Sequence, residues 1–171
     1  FWYTAHGATV KVPLSWIREY VDVTLTPDEL GHRLTMAGLE TMGIETIGES
    51  WDNVVVGQVL SVEPHPNADR LKLATVDPGT GPVTVVCGAP NVAEGQRIAF
   101  ARIGATLLDP GSGRLETLKA ATIRGVESAG MVCSARELGL GDDHDGILVL
   151  DGDAPVGAPL AHYLGDAIYH K

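Results

Sequence analysis

The chain has 171 residues, with 12 Lys and Arg against 22 Asp and Glu, a formal net charge of −10, and 44% hydrophobic residues. Such a length supports one ordinary domain plus a smaller lobe, because a domain of about 150 residues buries roughly 70% of its unfolded surface and needs no disulfide or metal to hold it. The composition excludes a strongly basic, self-sufficient nucleic-acid binder, and no apolar run reaches the ~20 residues of a membrane span.

No charged n-region precedes an apolar stretch as in a signal peptide. Residues 1–9 carry no periodicity and are set aside from fold reasoning. Ser15 is expected to cap a short helix with Trp16, Ile17, Tyr20 and Val21 on one apolar face. A second helix is marked by Thr26 as N-cap, Pro27 at its first position and Glu29 completing a capping box. Leu30, Leu34 and Ala37 point inward, and Gly38 terminates it. This pair is too small to fold alone, and Leu39 to Ile47 reads as a strand-like bridge to a neighbour.

From Val54 the pattern changes to short runs rich in Val, Ile and Thr, punctuated by Gly and Pro, the signature of an all-β barrel or sandwich. Strands are expected near Val54–Val62, Leu71–Val76, Val83–Cys87, Arg97–Arg102, Leu118–Ile123, Met131–Cys133 and Ile147–Leu150. Turns fall at Asp77–Gly81 and Asp109–Gly113. Ser134 is placed to cap one helical turn before Gly139. The last amphipathic stretch, Leu160–Leu164, is expected to pack back on the amino-terminal helices.

Four segments carry possible chemistry, and each has a bland reading. In His65-Pro-Asn-Ala-Asp-Arg-Leu71, proline forces an extended histidine and Asn or Asp closes a local side-chain turn. Arg70 and Lys72 beside it are either phosphate contacts at a loop mouth or solvated basic residues. Cys87-Gly-Ala-Pro-Asn91 must turn sharply after a buried strand; it is a tight corner or a place where bare backbone approaches a nucleotide. Cys87 and Cys133 lack C-x-x-C spacing and a paired base, and read as reduced core residues of a cytosolic protein rather than nucleophiles. Lys119 and Arg124 lie five apart in a β-period segment, so a regular strand would put them on opposite faces and one bulge would bring them together. Asp142-Asp-His-Asp145 lacks the spacing of a calcium loop and the further ligands zinc needs, and reads as a solvated turn.

Stacking aromatics are scarce, since Phe100 is the only Phe, Tyr or Trp between Val54 and Tyr163. Each stacked base contributes about 1 to 3 kcal/mol in single-strand binders. Their lack leaves recognition of a folded RNA by shape and phosphate. The charge is unevenly spread: Glu137 to Asp153 holds six acids and no Lys or Arg, while Arg70, Lys72, Arg97, Arg102, Lys119 and Arg124 fall mid-chain.

Three blocks, His65 to Leu71, Val86-Cys-Gly-Ala-Pro-Asn91, and Ile123 to Leu140 (I-R-G-V-E-S-A-G-M-V-C-S-A-R-E-L-G-L), together resemble the tRNA-binding OB domain of the bacterial phenylalanyl-tRNA synthetase β subunit. Val10-Lys-Val-Pro-Leu-Ser-Trp16 resembles that family's start, with valine in place of the initiator methionine, which makes residues 1–9 a tag remnant or native extension. The resemblance implies an α+β fold: an OB-fold barrel (48–158) inserted into a small helical lobe (10–47), with a return segment (159–171). The strand before G-V-E-S-A-G-M would then face RNA, which makes Lys119 and Arg124 the leading RNA-binding candidates, beside Arg70 and Lys72 at the loop mouth.

The same resemblance implies no catalytic residue, metal or cofactor in this stretch, and a cytoplasmic protein with no membrane attachment. It also implies a complete enzyme that uses ATP and magnesium to join phenylalanine to tRNA, with an α subunit in an α2β2 assembly. Within it, this piece would bind tRNA as an auxiliary. Two alternatives stay open: a structural or intersubunit barrel without RNA contact, and a free-standing tRNA-binding protein.

Overall fold

The computed structural model describes residues 10–170, so residues 1–9, read as a tag remnant or extension, lie outside the described residues. In chain order the elements begin with β1 (Lys11–Pro13), α1 (Leu14–Tyr20), α2 (Pro27–Met36) and β2 (Gly43–Ile47). There follow β3 (Val54–Pro64), β4 (Lys72–Asp77), β5 (Val83–Cys87), β6 (Arg97–Arg102), β7 (Thr106–Leu108) and β8 (Leu115–Thr117). The last are β9 (Ala121–Ile123), β10 (Val126–Ser128), β11 (Gly130–Val132), β12 (Val149–Leu150), α3 (Leu160–Leu164) and β13 (Asp166–His170). They form two compact units, one taking the chain up to Ile47 and again from Gly165, the other Gly48–Leu164.

In the first unit β13 lies between β1 and β2 in a three-stranded antiparallel sheet. Its core is Leu14, Ala167 and Tyr169, with Ile17, Leu30, Leu34 and Ile44 packed against them. Three expectations change here. Pro13, not Ser15, is the N-cap of α1; Ser15 instead uses its amide and hydroxyl to bind the Asp166 carboxylate, 151 positions along the chain. Trp16, Tyr20 and Val21 are exposed, and the inward face of α1 is Leu14 and Ile17. Ala37 is the exposed C-cap residue of α2, not a core position. The α2 start is as expected, a complete Thr26/Glu29 capping box with proline in the first turn. Its end is closed by Gly38 at φ 90°, with the Leu39 amide bonded to the Leu34 carbonyl, 2.8 Å, a Schellman closure.

The second unit is a curved antiparallel sheet in the order β11-β6-β3-β4-β5, with β12 added to β6. The end strands β5 and β11 meet: the Ala129 amide donates to the Thr84 carbonyl, and the buried Ser128 hydroxyl accepts from the Val86 amide and donates to the Gly130 carbonyl. The result is a nearly closed, barrel-like sheet. Closure satisfies backbone groups that would otherwise form an open edge. Alternation along the strands delivers Val59, Val76, Val85, Ile98 and Phe100 to one interior cluster. β3, β4, β5 and β6 stand where the valine-rich runs place them. Against the expected single strand Leu118–Ile123, the chain breaks at 118–120, where Leu118 exchanges backbone hydrogen bonds with Gly104 and Ala105. Ser134 caps the following segment as expected, its amide and hydroxyl donating to the Glu137 carboxylate while its hydroxyl accepts from the Glu137 amide, but the segment is a turn rather than a helix. α3 belongs to this second unit and packs on β3, so the segment that returns to the first unit is β13, not Leu160–Leu164.

Candidate nucleic-acid interface

Antiparallel register brings two of the motif blocks to one end of the sheet, because Lys72 at the start of β4 pairs with both Pro64 and Cys87. The β3–β4 loop, carrying His65 to Leu71, and the turn after β5, carrying Cys87 to Asn91, are therefore neighbours. The Lys72 ammonium donates to the Pro90 carbonyl, 3.1 Å, which ties the two together. Two further donors of that ammonium remain for a ligand.

The third block joins them through side chains. His65 is buried, and its ring is bonded on both sides: Nδ1 accepts from the Asn67 amide, 3.0 Å, and Nε2 lies 3.1 Å from the Ile123 carbonyl. A backbone N–H only donates, so the hydrogen sits on Nε2, which donates to Ile123. Asn67 Nδ2 donates to the Arg124 carbonyl, 3.0 Å. These bonds seize the two-residue connection Arg124-Gly125 between β9 and β10, where Val126 pairs with Ile123. Arg124 has φ 51° and Gly125 φ 85°, the doubly left-handed pattern of a type I′ hairpin turn.

Arg70, Lys119 and Arg124 are exposed. The ion pairs among the described residues, Lys11 and His170 with Glu45, involve none of them. Arg70 shares the β3–β4 loop with Asn67, so Arg70, Lys72 and Arg124 belong to one hydrogen-bonded group of loops. Lys119 does not stand in a strand with Arg124; it lies in the 118–120 break and lines a separate cleft of about 210 Å³ with Leu107, Asp109 and Glu116. By contrast, Arg97 and Arg102 spend their guanidiniums on the Ala154 and Pro78 carbonyls.

The turn at Gly88 also lines a cleft of about 260 Å³, with Met131, Ser134, Glu137 and His144. Opposite it, the Asn91 side chain makes a paired bond to Ile147, donating to its carbonyl at 3.0 Å and accepting from its amide at 2.9 Å. A Cβ on Gly146 would come within 2.6 Å of the Asn91 oxygen, so a side chain there would push the Asn91 amide off Ile147. Asn91, Gly146 and the long reach of Asn67 escaped sequence reasoning, which sees Asn only as a local turn former. No group of three or more His, Cys, Asp and Glu among the described residues is placed to hold a metal ion. Burial pushes both the Cys87 and Cys133 thiols up, and both are free. Of the aromatics in the barrel unit, Phe100 is buried, Trp51 is buried with its indole N–H on the Leu138 carbonyl, and Tyr163 is half-buried with its hydroxyl donating to Asp151.

A family model described as "Putative tRNA binding domain" matches residues 54–159. The phenylalanine–tRNA ligase beta subunit of Dehalococcoides mccartyi (strain 195) is 52% identical over 159 residues, 93% of this chain and 20% of that protein. Those of Salinibacter ruber and Dechloromonas aromatica are 51% and 50% identical, covering 91% of this chain and 19% of each relative. The chain thus spans about a fifth of the length of these curated relatives. A solved MetRS-related protein from Pyrococcus horikoshii is 25% identical with a TM-score of 0.44, over 61% of this chain and 85% of that one. Among the described residues no helix is long and apolar enough to cross a membrane.

Proposed function

Because the chain belongs to the tRNA-binding-domain family through residues 54–159, we propose that it is the non-catalytic, amino-terminal tRNA-gripping part of a phenylalanine–tRNA ligase β chain. The observation that carries this is the gathering of the 65–72, 87–91 and 123–125 loops by side-chain hydrogen bonds, with Arg70 and Arg124 exposed on them. Cations at loop tips suit phosphate contact, which positions an RNA without reading its sequence. The lack of an exposed stacking ring on the barrel fits recognition by backbone and shape. Lys72 contributes with its remaining donors, and Lys119 is a more distant contact from its own cleft.

The order β3-β4-β5-β11-β6-β3 supports an OB-type Greek-key barrel, and the first unit is a separate α+β lobe. In the complete cytoplasmic enzyme this lobe and barrel stand beside an α subunit in an α2β2 assembly. In this reading ATP and Mg²⁺ are used by the rest of that enzyme. A free-standing barrel is disfavoured because the relatives align over 93% of the chain, beyond the 54–159 match.

Titrating the chain with tRNAPhe across salt concentrations tests the reading. Engaged phosphates make log K fall with log salt by about 0.7 to 0.9 per contact. Arg70→Ala and Arg124→Ala should each weaken binding and flatten that slope by about one contact. Absence of binding at about 50 mM salt would leave a purely structural barrel instead.

A further inference from the structure

The β9–β10 hairpin forms a sheet of its own two strands only, pairs over three residues a side, and keeps all of β9 exposed. An isolated two-stranded hairpin is marginal in water. Its base is tied to β5 through Ser128, but its tip is held by Asn67 and His65 alone among the hydrogen bonds of the described residues. The tip also carries arginine in a left-handed conformation that ordinarily selects Asn, Asp or Gly. An unfavourable backbone at an exposed basic residue persists only where its surroundings impose it.

We propose that Asn67, oriented from behind by His65, is a positioning residue for RNA binding: its amide holds the Arg124 carbonyl and so presents the Arg124 guanidinium in a fixed place. This rests on the reading of Arg124 as a phosphate contact. His65 is itself set by a bond from the Asn67 amide, so the two side chains and the turn form one closed set of bonds. Fixing the turn during folding removes an ordering cost at binding, which for one loop and side chain amounts to about a three- to tenfold difference in affinity.

The test is a double-mutant cycle on tRNAPhe affinity with the 171-residue chain, because Asn67 is exposed and its truncation leaves the core untouched. Asn67→Ala and Arg124→Ala should each weaken binding. Combined, they should weaken it no more than Arg124→Ala alone. The Asn67→Ala salt slope should flatten towards that of Arg124→Ala, a change that a purely structural role would not produce. Should Asn67→Ala lower the melting temperature, Gly125→Ala, which strains the same turn from its other residue, replaces it with the same expectation. Additive losses, or wild-type affinity in Asn67→Ala when Arg124→Ala is impaired, overturn the positioning role alone. Unchanged affinity in Arg124→Ala overturns the contact reading and the positioning role together.

Discussion

At the scale of single residues, the proposed contact role of Arg124 would set stability against binding at its turn. A left-handed conformation costs an ordinary L-residue roughly 1 to 2 kcal/mol, and asparagine tolerates it best among non-glycine residues. Arg124→Asn should therefore raise stability by up to about 1 kcal/mol, read as a higher urea midpoint, while tRNA affinity falls. A lower midpoint would mean that φ 51° is no burden at this position. This is the trade expected where a residue is kept for contact rather than for the fold.

At the scale of elements, α1 separates burial from hydrophobicity. Leu14 is 3% exposed and Trp16 is 61% exposed, although both are apolar and two positions apart. Leu14→Ala should cost about 2 to 5 kcal/mol. Trp16→Ala should change stability by less than about 0.5 kcal/mol, and equal losses in chemical unfolding would contradict the packing described.

The capping box of α2 has a pH signature. The Glu29 carboxyl is held below its ordinary range chiefly by the Thr26 backbone N–H it accepts from, then by the Thr26 hydroxyl. A carboxyl with a lowered folded value adds stability above its unfolded value and loses it as pH falls through the folded one. The stability gap between wild type and Glu29→Gln should be full at neutral pH and close in acid, below the normal glutamate value of 4.5. A gap that widens on acidification would reverse the sign and refute the assignment.

At the scale of the whole molecule, each unit is completed by residues distant in sequence. Ser128 bridges the ends of the barrel sheet, bonding the Val86 amide 42 positions away. Ser128→Ala leaves that part-buried amide without its partner and should cost about 1 kcal/mol, measured by thermal unfolding. No loss would show that closure of the sheet relies on Ala129 and Thr84 alone. Net charge acts at this scale too: at −10, general attraction to RNA is absent, so affinity must come from local cations and be strongly salt-sensitive.

What the chain's order of residues determined by itself was local. Valine-rich alternation set β3 to β6, Thr26-Pro27 and Glu29 set the start of α2, and Gly38 set its end, because each depends on neighbours within a few positions. The motif blocks point to the family through residue identity alone. Tertiary structure alone decided that Asp166 meets the start of α1, that Asn67 reaches the Arg124 carbonyl 57 residues away, and that Lys119 stands on a different cleft. Such pairings depend on how strands register and a sheet closes, and periodicity fixes which face a residue takes without saying what will lie opposite it.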